Sequence, residues 1–280
     1  KGKLRMVLFI PSGFSKDFYK KGRAELQVLI DGGYPYTAST IRGYAQSIVD
    51  ALNMELMEKK GLQKSPPIEL RTRFFFNESL KSSNALVPGL LVVIMMVNPA
   101  VLVATAVARE REFGTIYNIY SSPVRKIEFF AGKLLPYLVI SFLNLFILVF
   151  FVYLLFGIYP KGNPLVLIPF GLLYVTINIL FGFLISSATR TIVAAQIITL
   201  IVTTIPAFLY SGLLIPVSHL GPEGQFMARL YPAMYFMQVI QGVYLKKLNF
   251  FDLFREGLYL GLYMLLLGVL SYHLFQKRES

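Results

Sequence analysis

Five long apolar runs govern what this chain can fold into: Leu86–Ala108, Leu134–Phe156, Leu165–Ile185, Ile192–Leu214 and Leu258–Phe275. At about 1.5 Å per helical residue, roughly 20 residues cover a hydrocarbon core ~30 Å thick. The first four runs are ample by that measure, and the fifth reaches across with little to spare. None alternates apolar and polar positions, so helices rather than barrel strands must satisfy the backbone inside lipid. Composition agrees: 55% of the chain is hydrophobic and only 15% charged, against about 25% charged in soluble domains. The expected architecture is an α-helical polytopic membrane domain over residues 86–280, preceded by a polar region over residues 1–85.

That polar region reads as a water-soluble unit. Met6–Ile10 and Glu25–Ile30 are short runs stopped by Pro11 and by Asp31-Gly32-Gly33, which are strand and turn signals. Between Thr37 and Lys60, residues Ile41, Tyr44, Ala45, Ile48, Val49, Leu52 and Leu56 fall on one helical face, and Gly61 and Pro66-Pro67 stop the helix. Ile68, Leu70, Thr72, Phe74 and Phe76 alternate with Glu69, Arg71, Arg73 and Phe75, the pattern of a strand with one buried side. Ser12, Ser15 and Asp17 read as turn residues. A small mixed α/β domain follows, and it is expected to lack its first strands, because the chain starts at Lys1 with neither Met nor signal sequence.

The formal net charge is +12. Half of it lies in residues 1–85, where 14 Lys/Arg are scattered among 8 Asp/Glu, and much of the rest sits in short loops beside the apolar runs. Such placement speaks against a nucleic-acid partner, which calls for a basic stripe or face. It does suit membrane topology. Arg109, Arg111, Arg125, Lys126 and Lys133 share the 109–133 loop, Arg190 sits in the 186–191 loop, and Lys277 and Arg278 close the tail. With five spans these segments lie on one side, the cytoplasm by the positive-inside rule. The Gly157–Pro164 loop, on the other side, has only Lys161. Domain 1–85 is then extracytoplasmic and the C-terminus cytoplasmic. Residues 215–257 are nearly as apolar as a span, yet Arg229 and Pro232 interrupt them. We expect an external re-entrant segment built from a broken helix pair.

The cluster Ala108-Arg109-Glu110-Arg111-Glu112-Phe113-Gly114-Thr115 closes the first span and leads to Ser122-Pro123, a helix start with Ser as N-cap and Pro at the first helical position. About 25 residues of mixed charge exceed what a hairpin between spans needs, so the loop has a surface suited to docking a partner. Alternating Arg and Glu can exchange ion pairs across such an interface, setting orientation more than affinity.

Three runs here resemble the ABC type-2 permease family: Arg109–Thr115, Ser122–Tyr137 (SPVRKIEFFAGKLLPY) and Tyr210–Pro216 (YSGLLIP). Leu230–Phe236 (LYPAMYF), Gln241–Lys246 (QGVYLK), Phe9–Phe14 (FIPSGF) and Val28–Gly32 (VLIDG) add to the resemblance. It covers nearly the whole chain. It implies six spans in the intact chain, with an external domain between the first and second, so that the five seen here would be the last five. It also implies the permease subunit of an ATP-driven exporter, moving a hydrophobic or amphipathic substrate out of the cytoplasm or inner leaflet. The partners implied are a separate ATP-binding cassette subunit that carries ATP and Mg, a second permease chain making a homo- or heterodimer, and membrane lipid. The place implied is the inner membrane of a prokaryote. Arg109, Glu110, Arg111, Glu112, Phe113, Gly114, Thr115, Arg125 and Lys126 would then form the region coupled to the ATPase subunit. The other function class in view is a non-transporting sensor or assembly scaffold with a ligand-binding outer domain.

Polar residues inside spans mark pathways or helix contacts, which makes Asn98, Asn144, Asn178 and Gln196 the candidate substrate path. No Asp, Glu, Lys or Arg falls at a span centre. Catalysis in this chain itself is not expected. It has no Cys, only two His far apart in sequence, no Gly-x-x-x-x-Gly-Lys-Ser/Thr loop and no nucleophile–base constellation. For the same reasons no metal site and no cofactor of its own are expected.

Overall fold

The structure is a computed structural model describing residues 4–60, 66–114 and 126–274. It divides into two compact units, Lys1–Ala85 and Leu86–Ser280.

The first unit orders β1 (Met6–Phe9), α1 (Phe14–Lys21), β2 (Ala24–Asp31), α2 (Pro35–Lys60) and β3 (Ile68–Phe75). The three strands lie in the order β1-β2-β3. β1 runs antiparallel to β2 with Met6 opposite Ile30, and β2 parallel to β3 with Ala24 opposite Ile68. A parallel pair needs a long crossover, and α2 provides it. Val28, Ile30 and Ala38 form the buried core, with Leu26, Ile41, Leu70 and Phe74 packed against it.

Three expectations for this unit are corrected. The strand predicted through Phe76 stops at Phe75, because Phe76 takes a left-handed backbone at φ 70°. Ser15 and Asp17 lie in a helix, α1, rather than in a turn. The local signals are there: Phe14 and Phe18 stack four residues apart, Lys21 reaches Asp17 at 2.9 Å, and Gly22 ends the helix at φ 69°. That hydrogen bond and its charge hold the Lys21 ammonium above its ordinary pKa. Finally, α2 does not bury the whole predicted face. Tyr44 and Ile48 are each 69% exposed, while Val49 and the polar Asn53 turn inward.

Asn53 does a strand's work. Its amide donates to the Ile68 carbonyl and accepts from the Ile68 N–H, both at 2.9 Å, so α2 pins the first residue of β3. Asn53→Leu leaves both Ile68 groups unpaired where the residue is 94% buried, at a cost of about 2 kcal/mol. The expected result is that the Ile68 amide loses most of its hydrogen-exchange protection while the middle of β2 keeps its own.

The second unit is helical: α3 (Ser83–Glu112), α4 (Lys126–Phe156), α5 (Leu167–Ser187, after a 3₁₀ turn at Pro164–Val166), α6 (Ile192–Tyr210), α7 (Pro222–Arg229), α8 (Pro232–Tyr244) and α9 (Phe254–Leu274). Helices α3, α4, α5, α6 and α9 account for five candidate membrane spans. The fourth ends at Tyr210 rather than at Leu214. Gly212 turns left-handed at φ 86° and the Ser211 hydroxyl accepts the Leu213 N–H at 3.2 Å, which breaks the helix. The last begins earlier than expected, at Phe254. Residues 215–257 hold α7 and α8, of 8 and 13 residues, each too short to cross a bilayer.

Helix α5 is the hub. Along its length the Tyr174 hydroxyl donates to the Val92 carbonyl at 3.0 Å, the Asn178 amide donates to the Met95 carbonyl at 3.0 Å, and Gly182 lies against the Ala100 carbonyl. These pairs keep a nearly constant offset, so α3 and α5 run parallel. On other sides α5 meets α4 at Gly171 and Leu145, α8 through stacked Tyr174 and Phe236 rings 4.2 Å apart, and α9 at Phe170 and Gly257. Burial follows this plan: 56% and 61% of the apolar stretches of α3 and α5 are enclosed, against 17–22% for α4, α6 and α9. The last three present their apolar faces outward, as lipid-facing helices do.

Candidate functional site

Asn178 and Pro99 explain one another. Proline has no N–H, so Pro99 leaves the Met95 carbonyl, four residues back, without its helical donor. In an apolar interior that carbonyl must find another, and the Asn178 amide supplies it. Asn178 is fully buried; it binds two helices together and is not exposed along a path. Asn178→Leu is expected to cost about 1–3 kcal/mol by orphaning that carbonyl. Pro99→Ala in the same chain should recover most of the loss by restoring the N–H, as a double-mutant thermal-unfolding cycle will show.

Asn98 and Asn144 behave differently. Both line an open cleft of about 760 Å³ between α3 and α4, with Leu200 of α6 on its rim. Asn98, Val101, Leu102, Thr105 and Arg109 recur every three to four residues, so one face of α3 forms the wall. Tyr137, Ile140, Ser141 and Asn144 form the facing wall on α4. The walls are joined at one end by an ion pair between Glu110 and Lys133, whose side chain is only 8% exposed. The asparagines lie about three helical turns beyond that pair on their respective helices, which fixes α3 and α4 as antiparallel. Gln196 is half-buried on α6 and is not among the lining residues.

The charged run at the end of α3 is spent largely on neighbouring helices, with Glu110 and Arg111 half-buried and Glu112 at the surface. The Arg111 guanidinium donates to the Ser187 carbonyl at 2.6 Å and the Ser186 carbonyl at 3.2 Å, which are final carbonyls of α5. The Glu112 carboxylate accepts the Ile192 N–H, the first of α6, at 2.6 Å. Neighbouring residues of opposite sign thus cap the negative end of one helix and the positive end of the next, each where the helix dipole favours it. With Glu110 holding Lys133, three consecutive side chains fasten α3 to α4 and to the ends of α5 and α6. Arg109 and Phe113 stay outward: the guanidinium lies 5.8 Å from the Phe113 ring, and Phe113 is 67% exposed. Gly114 ends the helix at φ 71°. Thr115 and Arg125 lie outside the described residues, and Lys126 opens α4, its side chain outside them as well.

Sequence reasoning counted Lys133 only as a topology charge and passed over Ser141, Thr105 and Tyr137. It also missed Glu256, which the first turn of α9 buries to 7% exposure beside Arg255. A periodic scan of the first two spans would have paired Asn98 with Thr105 and Asn144 with Tyr137. Nothing local marks the carbonyls of Ser186 and Ser187 as partners of a residue some 75 positions earlier.

Five apolar helices around a shared core, with a lateral cleft bridged at one end by an ion pair, define a multi-pass membrane protein. The chain belongs to the ABC-2 transporter family: the profile of the ABC-2 family transporter proteins matches residues 1–273. Among curated relatives, the probable multidrug ABC transporter permease YbhS of Escherichia coli K12 is 29% identical over 245 residues, covering 87% of this chain and 65% of YbhS. The probable multidrug ABC transporter permease YbhR of the same strain is 30% identical over 249 residues, covering 87% of this chain and 66% of YbhR. The inner membrane transport permease YhhJ, also of that strain, is 28% identical over 154 residues, 53% of this chain and 41% of YhhJ. The chain thus spans just under two thirds of the length of the first two. No solved structure matches.

Proposed function

We propose that this chain is the permease subunit of an ATP-driven exporter that moves a hydrophobic or amphipathic substrate outward through the cleft between α3 and α4. The observation that carries the reading is the double position of one short run. Arg109 and Glu110 wall one end of the cleft, while the adjoining Arg111 and Glu112 hold the turn between α5 and α6. A push on the end of α3 is therefore felt at the cleft and at two further spans together. ATP and Mg belong to a separate ATP-binding cassette subunit docking beside Arg109, Phe113 and residues 114–126, and a second permease chain, identical or paralogous, completes the path. The family and the permease names of YbhS and YbhR support this. The end of α3 is cytoplasmic, the domain 1–85 lies outside, and the membrane is the inner membrane of a prokaryote.

Two measurements test it. The chain should co-purify with an ATP-binding cassette subunit whose ATPase responds to amphipathic compounds; no association at all would overturn the reading. The chain has no Cys, so single cysteines report topology cleanly. With an impermeant reagent added outside intact cells, Tyr44→Cys on exposed α2 should label and Ala188→Cys in the α5–α6 turn should not. The reverse pattern would invert the orientation.

A further inference from the structure

The cleft has a length, a charge and a texture, and together they narrow what it can hold. From Asn98 to Arg109 is eleven residues of α3, about 16 Å at 1.5 Å each, which is half of a ~30 Å hydrocarbon core. The cleft is therefore about as long as one leaflet is deep. Its walls are apolar along the middle, through Val101, Leu102, Ala106, Ile140 and Leu200. At the interfacial end the Glu110 carboxylate is taken by Lys133. Arg109 makes no ion pair among the described residues, its ring contact with Phe113 aside. That leaves the mouth of the cleft net positive. A guanidinium beside an apolar channel suits a phosphate or carboxylate head, which it can grip through two parallel hydrogen bonds.

We propose that the α3–α4 cleft binds an anionic amphipath of one-leaflet length, its head on Arg109 and its apolar body along Leu102, Ile140 and Leu200 toward Asn98 and Asn144. This rests on the reading of the chain as an exporter permease whose α3 ends at the cytoplasmic face, and it makes the substrate class an inner-leaflet anion rather than any apolar molecule. The volume of about 760 Å³ lies within the range of ligand sites. At the deep end, Asn98, Asn144 and Ser141 offer hydrogen bonds to any polar group carried along the body; nearer Arg109, the Thr105 hydroxyl has no partner of its own among the described residues.

The 280 residues contain no Trp, so Leu200→Trp on the rim gives this chain a single fluorescent reporter, read in vesicles of neutral phosphatidylcholine. Three probes share one chain length: dodecyl phosphate, dodecyltrimethylammonium and 1-dodecanol. Dodecyl phosphate should shift the emission at a concentration at least tenfold lower than either of the others. Arg109→Gln should abolish that preference and Arg109→Lys should keep part of it. Ala106→Phe, which fills the channel and leaves the head contact intact, should remove the response to all three. Inorganic phosphate alone should do nothing. Equal midpoints for the three probes, a preference unchanged in Arg109→Gln, or a response to free phosphate matching that to dodecyl phosphate would each overturn the proposal. So would efficient cross-linking of two chains through Ala106→Cys, which would make the cleft a protein interface. Arg109-dependent binding with no effect on the ATPase of the assembled complex would sink the exporter reading and leave the binding site standing.

Discussion

Gly182→Leu should leave little folded protein in detergent. A side chain built at Gly182 runs into the backbone carbonyl of Ala100, not into the end of a flexible side chain. That carbonyl cannot step aside cheaply: its segment of α3 holds Pro99 and is tied to α5 by the Asn178 and Tyr174 hydrogen bonds one and two turns away. Membrane helices use small residues for this purpose, because close backbone approach replaces the hydrophobic drive that lipid removes. Gly182→Ala, which adds only the methyl, costs roughly 1–3 kcal/mol by overpacking. At the 2–4 °C per kcal/mol usual for chains of this size, its unfolding midpoint should fall by about 2–12 °C. The control is Gly261 on α9, where an added Cβ meets nothing within 4 Å. Gly261→Leu should change the midpoint by no more than about 2 °C. Size-exclusion profiles after a heating series read all three, and a Gly182→Leu protein as heat-stable as the parent would refute the close α3–α5 packing.

This contact shows where sequence stops being legible. The five spans were readable because hydrocarbon imposes a length and a composition on each segment separately, and each of the five apolar runs falls on one of the long helices. The break at Tyr210 was readable too, since Ser211-Gly212 is a local signal that the hydropathy alone overruled. What the sequence hides is which face of a uniformly apolar helix turns inward. In α5 nearly every position is apolar, so Gly171, Gly182, Tyr174 and Asn178 look alike as candidates until a neighbour is placed beside them.

The candidate site divides the same way. The run at the end of α3 stood out by its charge, and its residues do gather at one end of the bundle. Its partners were out of reach, because two of the three are backbone groups: carbonyls at the end of α5 and an amide at the start of α6. A run of alternating charge that faces a partner and one that ties neighbouring helix ends together have the same sequence. Of the four polar span residues, Asn98 and Asn144 share a cleft because α3 and α4 are antiparallel, whereas Asn178 serves a proline-made defect on its neighbour. Periodicity could have suggested the first arrangement; the second follows only from seeing Pro99 and Asn178 at one level.

The second large effect falls on Arg111 and Glu112. Arg111→Ala removes part-buried charge-assisted hydrogen bonds, roughly 1–3 kcal/mol, and Glu112→Ala an exposed one at a helix N-terminus, about 1 kcal/mol or less. The isolated chain should survive both, with unfolding midpoints lowered by several degrees. Coupling should suffer more. On the exporter reading proposed above, the two residues carry displacement of α3 into α5 and α6, so substrate-stimulated ATPase activity of the assembled complex should drop at least tenfold in either variant. The charge swap Arg111→Glu with Glu112→Arg separates this account from its rival. If the two residues served as interchangeable charges, pairing with each other or with a partner subunit's mixed surface, the swap would restore part of the function. On the geometry found here it does the opposite. It sets a carboxylate against the last carbonyls of α5 and a guanidinium against the first N–H of α6, both against the helix dipole. The double variant should therefore be the worst of the three in midpoint and in stimulated turnover. Recovery above either single variant would show that the end of α3 works by charge exchange with a partner and not by holding the α5–α6 turn.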